Sequence, residues 1–443
     1  MTKDKLNKDQ INKVVEIFRN GNYQKVLEIS DKLFSNYSID PFLLNLKGMA
    51  EIKLNNFENS IKSFEEAIKI NPDYIEAYNN LATTYINLGL FKKAISYLKK
   101  AILLKPDYAN AYNNLASAQS DLGKYEDALE SFNTLLKIKP NYPGVSDNII
   151  KTLTFFNPKN KRLNIYTELN ESIKNLNTSN EINEKNIINF YKKCQNIVSD
   201  KLDNINFNFS QIWRRNNIDL NCSRHFDVFN NFKVIPKFCF SCFKIQISLK
   251  SLVELFKLYF VFDNIIFDKN KSRKCLVELR KIGKGSYKGL IYCSSINEAN
   301  EIYKLILHIT KKNYLKDIIV KIKRGCTEFG NAYPNYKDIN STSDKFMQYN
   351  ENWKIKENII DNKLPKHNRI NQRILNDTIS GKTLNDFLIM KNWVMYAKAI
   401  GDNNYKKFDS NITISDYMKN SLAEQIEFRK KEYKSNFELL SKR

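Results

Sequence analysis

The chain has 443 residues, 27% of them charged and 42% apolar, with 12 Gly and 9 Pro. That length suits two to three domains with buried cores and excludes a collagen-like, low-complexity or wholly disordered chain. The formal charge of +23 is lopsided: residues 1–150 hold 19 Lys and Arg against 18 Asp and Glu, leaving 52 against 30 in the remainder. A basic half joined to a near-neutral half points to a polyanion or an acidic partner for the second half, a solvated basic surface being the alternative. No apolar run is long enough to span a bilayer, since 252–267 is broken by Glu254, Lys257 and Asp263. The first ten residues, MTKDKLNKDQ, lack the apolar core of a secretory signal, so the chain reads as cytoplasmic. Its seven Cys are odd in number and read as reduced thiols.

In chain order, the first third is punctuated by Pro72, Pro106 and Pro140, 34 residues apart. Around them the words NPDYIEAYNNLATTYINLG and KPDYANAYNNLASAQSDLG recur. Helix signature positions repeat with the same period. Large residues fall at Leu44, Tyr78 and Tyr112, and small ones at Gly48, Ala82 and Ala116. Second-helix small residues are Ala94 and Ala128, with Phe64 and Phe132 as aromatic partners. Gly21, Gly89 and Gly123 mark the turn between helices, where a left-handed backbone suits Gly. Lys47 and Glu51 depart from the pattern. A 34-residue period of paired helices resembles the tetratricopeptide repeat (TPR) family. The units run 7–40, 41–74, 75–108 and 109–142, and a helix after Pro143 caps them within a solenoid of residues 1–156.

The resemblance implies an array whose first helices line a concave binding face. Asn45, Asn79, Asn80, Asn113 and Asn114 fall on that face. An amide both donates and accepts, so such a ladder can hold an extended peptide by its backbone. The pattern is similar to the asparagine-lined groove of the O-GlcNAc transferase repeats. The Lys/Arg clamp of chaperone-adaptor repeats is missing. Solvated asparagines are the alternative reading.

Residues 157–235 read as a helical linker region, with helices over 161–175 and 181–203. From 236 to 330 the periodicity changes. Phe243, Ile245, Ile247 and Leu249 alternate with Lys244, Gln246 and Ser248, as in a half-buried strand. A helix carrying Leu252, Leu255, Phe256 and Tyr259 follows, then a strand in which Cys275 and Val277 alternate with Lys274, Leu276, Glu278 and Arg280. A Gly-rich turn at 283–285 leads to a strand over 287–293. Ser295 and Glu298 form a capping box opening the next helix, and a last strand runs from Ile318 to Lys323. The β-α-β-β-α-β order predicts a ferredoxin-like antiparallel sheet with helices on one face. The fold class expected is thus α+β and multidomain, a helical solenoid followed by this domain with flanking helices.

The other face of that sheet would display Lys244, Lys274, Arg280, Lys288, Tyr292, Lys321 and Lys323, a polyanion-binding candidate. The segment 288–292 resembles half of the third-strand motif of RNA-recognition domains, with Leu290 in place of a stacking aromatic. Residues 331–443 read as a basic region of three helices, 345–361, 383–400 and 415–440, docked through Trp353, Phe387 and Trp393.

Little in the sequence assembles a reaction. IGKGSYKG at 282–289 lacks the other kinase motifs. SGKT at 380–383 lacks the upstream Gly of a phosphate loop. Cys222, His225, Cys239 and Cys242 have zinc-like spacing, against which they stand as buried unliganded thiols; no cofactor is assigned. The reading is a non-enzymatic adaptor that binds a peptide or protein in the repeat groove while the basic domain engages a second partner. An RNA-associated protein and a repeat-linked modifying enzyme are the alternatives.

Overall fold

The structure, a computed structural model, describes residues 4–177, 181–199, 201–202, 207–214, 218–267, 271–312, 315, 318–364, 373–374, 377–379 and 381–441. Ser380 of the SGKT segment and the end of the expected helix 181–203 lie outside the described residues. The chain divides into two compact units, one of Met1–Thr152 with Asp361–Ile370, the other of Leu153–Ile360 with Asn371–Arg443. No described helix is long and apolar enough to cross a membrane.

The first unit is built of helix pairs: α1 (Lys8–Arg19) with α2 (Tyr23–Asn36), α3 (Pro41–Lys53) with α4 (Phe57–Ile70), α5 (Ile75–Asn87) with α6 (Phe91–Leu104), and α7 (Ala109–Asp121) with α8 (Tyr125–Ile138). A ninth helix, α9 (Val145–Thr152), follows Pro143 as expected. Local sequence sets the starts. Asn7 and Gln10 form a reciprocal capping box at α1, and the Asp40 carboxylate accepts from Leu43 N–H at 2.9 Å ahead of Pro41. Phe64, Leu81, Ala82, Leu98, Ala101 and Ala111 belong to one buried cluster that runs from the second helix pair to the fourth. Each pair therefore buries its apolar stripe against its neighbour, which is why one alone would not be stable. A Cβ on Gly48 would come within 2.7 Å of the Phe64 ring, so a small residue there is a packing requirement.

In the second unit come α10 (Ile165–Lys174), α11 (Glu184–Val198), β1 (Gln211–Arg214), β2 (Ile218–Asp219), α12 (Cys222–Phe232), β3 (Phe243–Leu249), α13 (Leu252–Asn264), β4 (Arg273–Val277), β5 (Tyr287–Cys293), α14 (Ile296–Lys312) and β6 (Ile319–Arg324). They are followed by α15 (Thr327–Ala332), α16 (Lys354–Lys363, whose residues from Asp361 on are grouped with the first unit), β7 (Arg373–Ile374), α17 (Leu384–Ile400), α18 (Tyr405–Phe408) and α19 (Ala423–Ser441). The main sheet has the order β1-β4-β5-β3-β6 with every neighbour antiparallel. β3 and β5 match the alternation read from sequence, and Phe243, Ile245, Ile247 and Leu249 are all buried. A Cβ on Gly289 would meet Leu258 and Phe262 of α13, which places α13 on the face of Ile247 and Gly289.

The structure differs from expectation in two places. β1 comes from a stretch read as helices and loops, and it adds a fifth strand beside β4. α17 falls where the helix over 383–400 was expected and docks through Phe387 and Trp393 as expected, but it is apolar rather than basic, and Tyr396 and Ala397 are buried with them against neighbours that include β1, β4 and α13. Arg214 ties these elements together: it pairs with Asp263 of α13 and Asp386 of α17, each at 2.6 Å, and donates to Tyr259 Oη at 2.7 Å.

Candidate functional site

On the first helices of successive repeats the asparagines bond to one another. Asn80 Nδ2 donates to Asn45 Oδ1 at 3.0 Å, and one repeat on Asn114 Nδ2 donates to Asn79 Oδ1 at 2.9 Å. Asn114 also donates to Thr83 Oγ1 at 3.3 Å. Longer 3.5 Å contacts join Asn79 to Asn80 and Asn113 to Asn114. The five predicted residues thus form a connected row, neither scattered nor wholly hydrated. Asn45 and Asn79 are buried, and Asn80, Asn113 and Asn114 are half-buried. Buried amides bonded this way hold neighbouring repeats in register. Each amide has two N–H groups and two lone-pair directions, so Asn113, at the end of the row, engages only part of its capacity within it.

In the second unit, the sheet face away from Gly289 carries the predicted lysines, but their surroundings are unequal. Lys321 is exposed, and Lys288 and Lys244 are buried. Lys288 pairs with Glu278 at 2.7 Å, and Arg280 with Glu278 at 3.0 Å and Glu328 at 2.8 Å. Burial works to raise the Glu278 carboxyl, but the hydrogen bond from Arg280 and the charge of Lys288 outweigh it and hold it near 2. Glu278 alternates with Val277 in the same register as Lys274, but the face read from sequence does not include it.

Tyr292 is stacked on Trp213 of β1, with centroids 5.5 Å apart. Lys274 Nζ lies 4.5 Å from the Trp213 ring centroid and donates to Gln211 Oε1 at 2.8 Å. Lys323 bonds Thr327. Lys244 Nζ lies 3.4 Å from Cys326 Sγ. So the structure brings Lys244, Lys274, Tyr292 and Lys323 together and leaves Lys288 and Arg280 with Glu278. Sequence reasoning missed Trp213, because its strand has only four residues, and Cys326, for which no spacing signal exists.

Cys222, Cys239, Cys242 and Cys326 line one narrow pocket, with His225, Phe226, Phe238, Phe329 and Lys244. All seven cysteines are free thiols. The zinc set read from spacing is corrected here: among the described residues no three His, Cys, Asp or Glu side chains are grouped to hold a metal ion. His225 packs its ring against Phe238 with centroids 5.3 Å apart. Cys222, His225, Cys239 and Cys242 share walls of a pocket without converging on one point, so in this arrangement they do not fit zinc.

Comparison with known proteins bears on the first unit. Family models of the tetratricopeptide repeat match residues 73–141 and 48–89. Among solved structures, the first TPR of Spaghetti (RPAP3), bound to an HSP90 peptide, is 24% identical, covering 25% of this chain and 89% of that one with a TM-score of 0.25. MamA of Desulfovibrio magneticus RS-1 is 19% identical, covering 33% of this chain and 82% of that one with a TM-score of 0.31. The Arabidopsis OM64 TPR domain is 24% identical, covering 25% and 93%, with a TM-score of 0.25. No curated protein sequence matches. The recurring helix pairs and the family matches together make the N-terminal segment a tetratricopeptide-repeat array.

Proposed function

We propose that this protein is a non-enzymatic interaction adaptor. Its repeat array holds an extended segment of a partner protein along the row Asn45, Asn79, Asn80, Asn113 and Asn114, while the second unit engages another partner through its basic face. We place it in the cytoplasm, a reading that its seven free thiols favour. We read the second unit as ferredoxin-like, a reading supported by the sheet order β4-β5-β3-β6 of the run β3-α13-β4-β5-α14-β6, with β1 added at the edge. The observation that carries the adaptor reading is the continuous amide row across three successive first helices. Such a row meets a partner's peptide groups with both donors and acceptors and asks little of its side chains.

Affinity capture with the full chain, followed by mass spectrometry, tests it. Asn113→Ala is the milder probe, since Asn113 bonds its neighbour only at 3.5 Å. Asn80→Ala with Asn114→Ala is the severe one, leaving buried Asn45 and Asn79 short of a partner at about 1–3 kcal/mol each. Proteins retained by the natural chain should be lost from both variants, with circular dichroism showing each variant folded. An unchanged capture profile from the folded variants contradicts the reading.

A further inference from the structure

Part of the sheet face gathers positive charge that its own carboxylates do not reach. Lys244 and Lys323 are directly opposed on β3 and β6, and Lys244 is opposed to Tyr292 on β5. The Nζ atoms of Lys244 and Lys274 lie 5.2 and 5.9 Å from the centroid of the same Tyr292 ring. Glu278 is committed to Lys288 and Arg280, and Glu328 to Arg280. Among the described residues, the hydrogen-bond partners of Lys244, Lys274 and Lys323 are the Cys326 thiol, the Gln211 amide and the Thr327 hydroxyl. None of these brings the full negative charge of a carboxylate.

Like charges on opposed strand residues are destabilising. Two of the three lysines carry the strain, while Lys244, against burial, is held well above its ordinary value by Cys326 and Tyr292: burial, then the charges of Lys244 and Arg280, bring Lys274 down to about 7. Burial and Lys244 bring Lys323 down to about 8. Lys244, only 9% exposed, is also in the wall of the thiol-lined pocket. Burial pushes the Cys239 and Cys242 thiols up, so they remain neutral and do not oppose an incoming anion.

We propose that Lys244, Lys274 and Lys323, beside the Trp213–Tyr292 stack, form a binding site for a small dianionic oxyanion such as a phosphate monoester. This rests on the reading that the basic face engages an anionic partner, and it names that partner's chemistry. A dianion matches three crowded ammonium groups better than a single carboxylate does. A polynucleotide laid over the sheet fits less well. Tyr292 already stacks on Trp213, and the buried Lys244 is poorly placed to meet a backbone passing outside.

Calorimetric titration of the full chain with sulfate and with phenyl phosphate, in phosphate-free buffers of differing ionisation enthalpy, is the test. Sulfate is the cleaner probe because its two charges do not titrate in this range. Saturable binding of both is expected. With sulfate at a pH of about 7.5, protons should be taken up, since the anion raises the lysine pKa values again. The charged and titratable groups acting on Lys274 are Lys244, Arg280, Cys222 and Cys326. Lys244→Met should weaken binding at least ~10-fold while raising the Tm of the anion-free protein, because it relieves repulsion. Lys274→Gln should abolish most of the proton uptake and serves if Lys244→Met does not fold. Lys311→Met, exposed on α14 and outside this face, should change neither.

No saturable binding of either probe by ~10 mM, a weakness beyond that of an ordinary specific site, overturns the proposal. So does binding that folded Lys244→Met leaves intact. If sulfate and phenyl phosphate fail while an RNA oligonucleotide binds with steep salt dependence, the small-anion site falls and the anionic-partner reading stands. If the oligonucleotide fails too, both fall.

Discussion

At the scale of single residues, the repeats carry their departures in matched pairs. Glu51 accepts from Ser63 at 2.8 Å, Tyr85 stacks on Tyr97 with centroids 5.6 Å apart, and the Gln119 amide lies 2.8 Å from Ser131. The same two positions are filled by a polar pair, an aromatic pair and another polar pair. Glu51 thus departs from the family pattern together with its partner. Burial raises its pKa from the ordinary 4.5, against the hydrogen bond from Ser63 and the charge of Lys47. The folded chain therefore holds this proton more tightly than the unfolded chain does. The associated stability is complete below the unfolded value and is lost as pH rises through the raised one. Glu51→Gln, the amide used at the equivalent position of the fourth repeat, should raise the Tm of the array at pH about 7 and change it little near pH 4. Thermal unfolding by circular dichroism reads this, and a lower Tm at neutral pH contradicts it. The turn position has a similar history. Gly21, Gly89 and Gly123 have φ of +76, +71 and +77°, and Asn55 takes the same place in the second repeat with φ 58°. The period pointed to the position, but a search for Gly alone passed over the Asn that also tolerates this backbone.

Among elements, legibility followed the length of the pattern. The 34-residue period repeats whole words, and the helices fall where it puts them, from Pro41–Lys53 to Tyr125–Ile138. The strands Phe243–Leu249 and Tyr287–Cys293 were readable because one face is apolar over seven residues. Gln211–Arg214 is too short to alternate visibly, and its pairing with β4 is a property of the folded chain. The lysines of the second face could be placed by alternation, whereas which of them found Glu278 depended on three-dimensional proximity. Arg214 shows how the short strand is held. Its guanidinium serves Asp263, Asp386 and Tyr259 from a buried position, a geometry that an ammonium cannot reproduce. Arg214→Lys should lower the stability of the second unit by ~3 kcal/mol, since two buried carboxylates lose their fork-shaped partner. Tryptophan fluorescence during urea unfolding measures this directly. An unshifted midpoint would show that β1 is held by other contacts.

Taken whole, the molecule has two compact units that spectroscopy can read separately. Its three tryptophans, Trp213, Trp353 and Trp393, all lie in the second unit. Fluorescence therefore follows that unit, while circular dichroism follows the helices of both. Division of charge along the sequence anticipated this separation, and composition showed which part is basic. Composition marked the region of α17 as basic, whereas its docking through Phe387 and Trp393 was legible from those residues themselves. Contact between the asparagine row and a partner is best measured by site-specific photo-crosslinking in the full chain. A photoreactive residue replaces half-buried Ser117, one turn beyond Asn113 on α7, or exposed Ser96 on α6 as the control. The adaptor account predicts a crosslink from position 117 to a partner polypeptide, lost with Asn80→Ala and Asn114→Ala, and none from position 96. Equal crosslinking from both positions, or none from 117 while the partner remains bound, would contradict it.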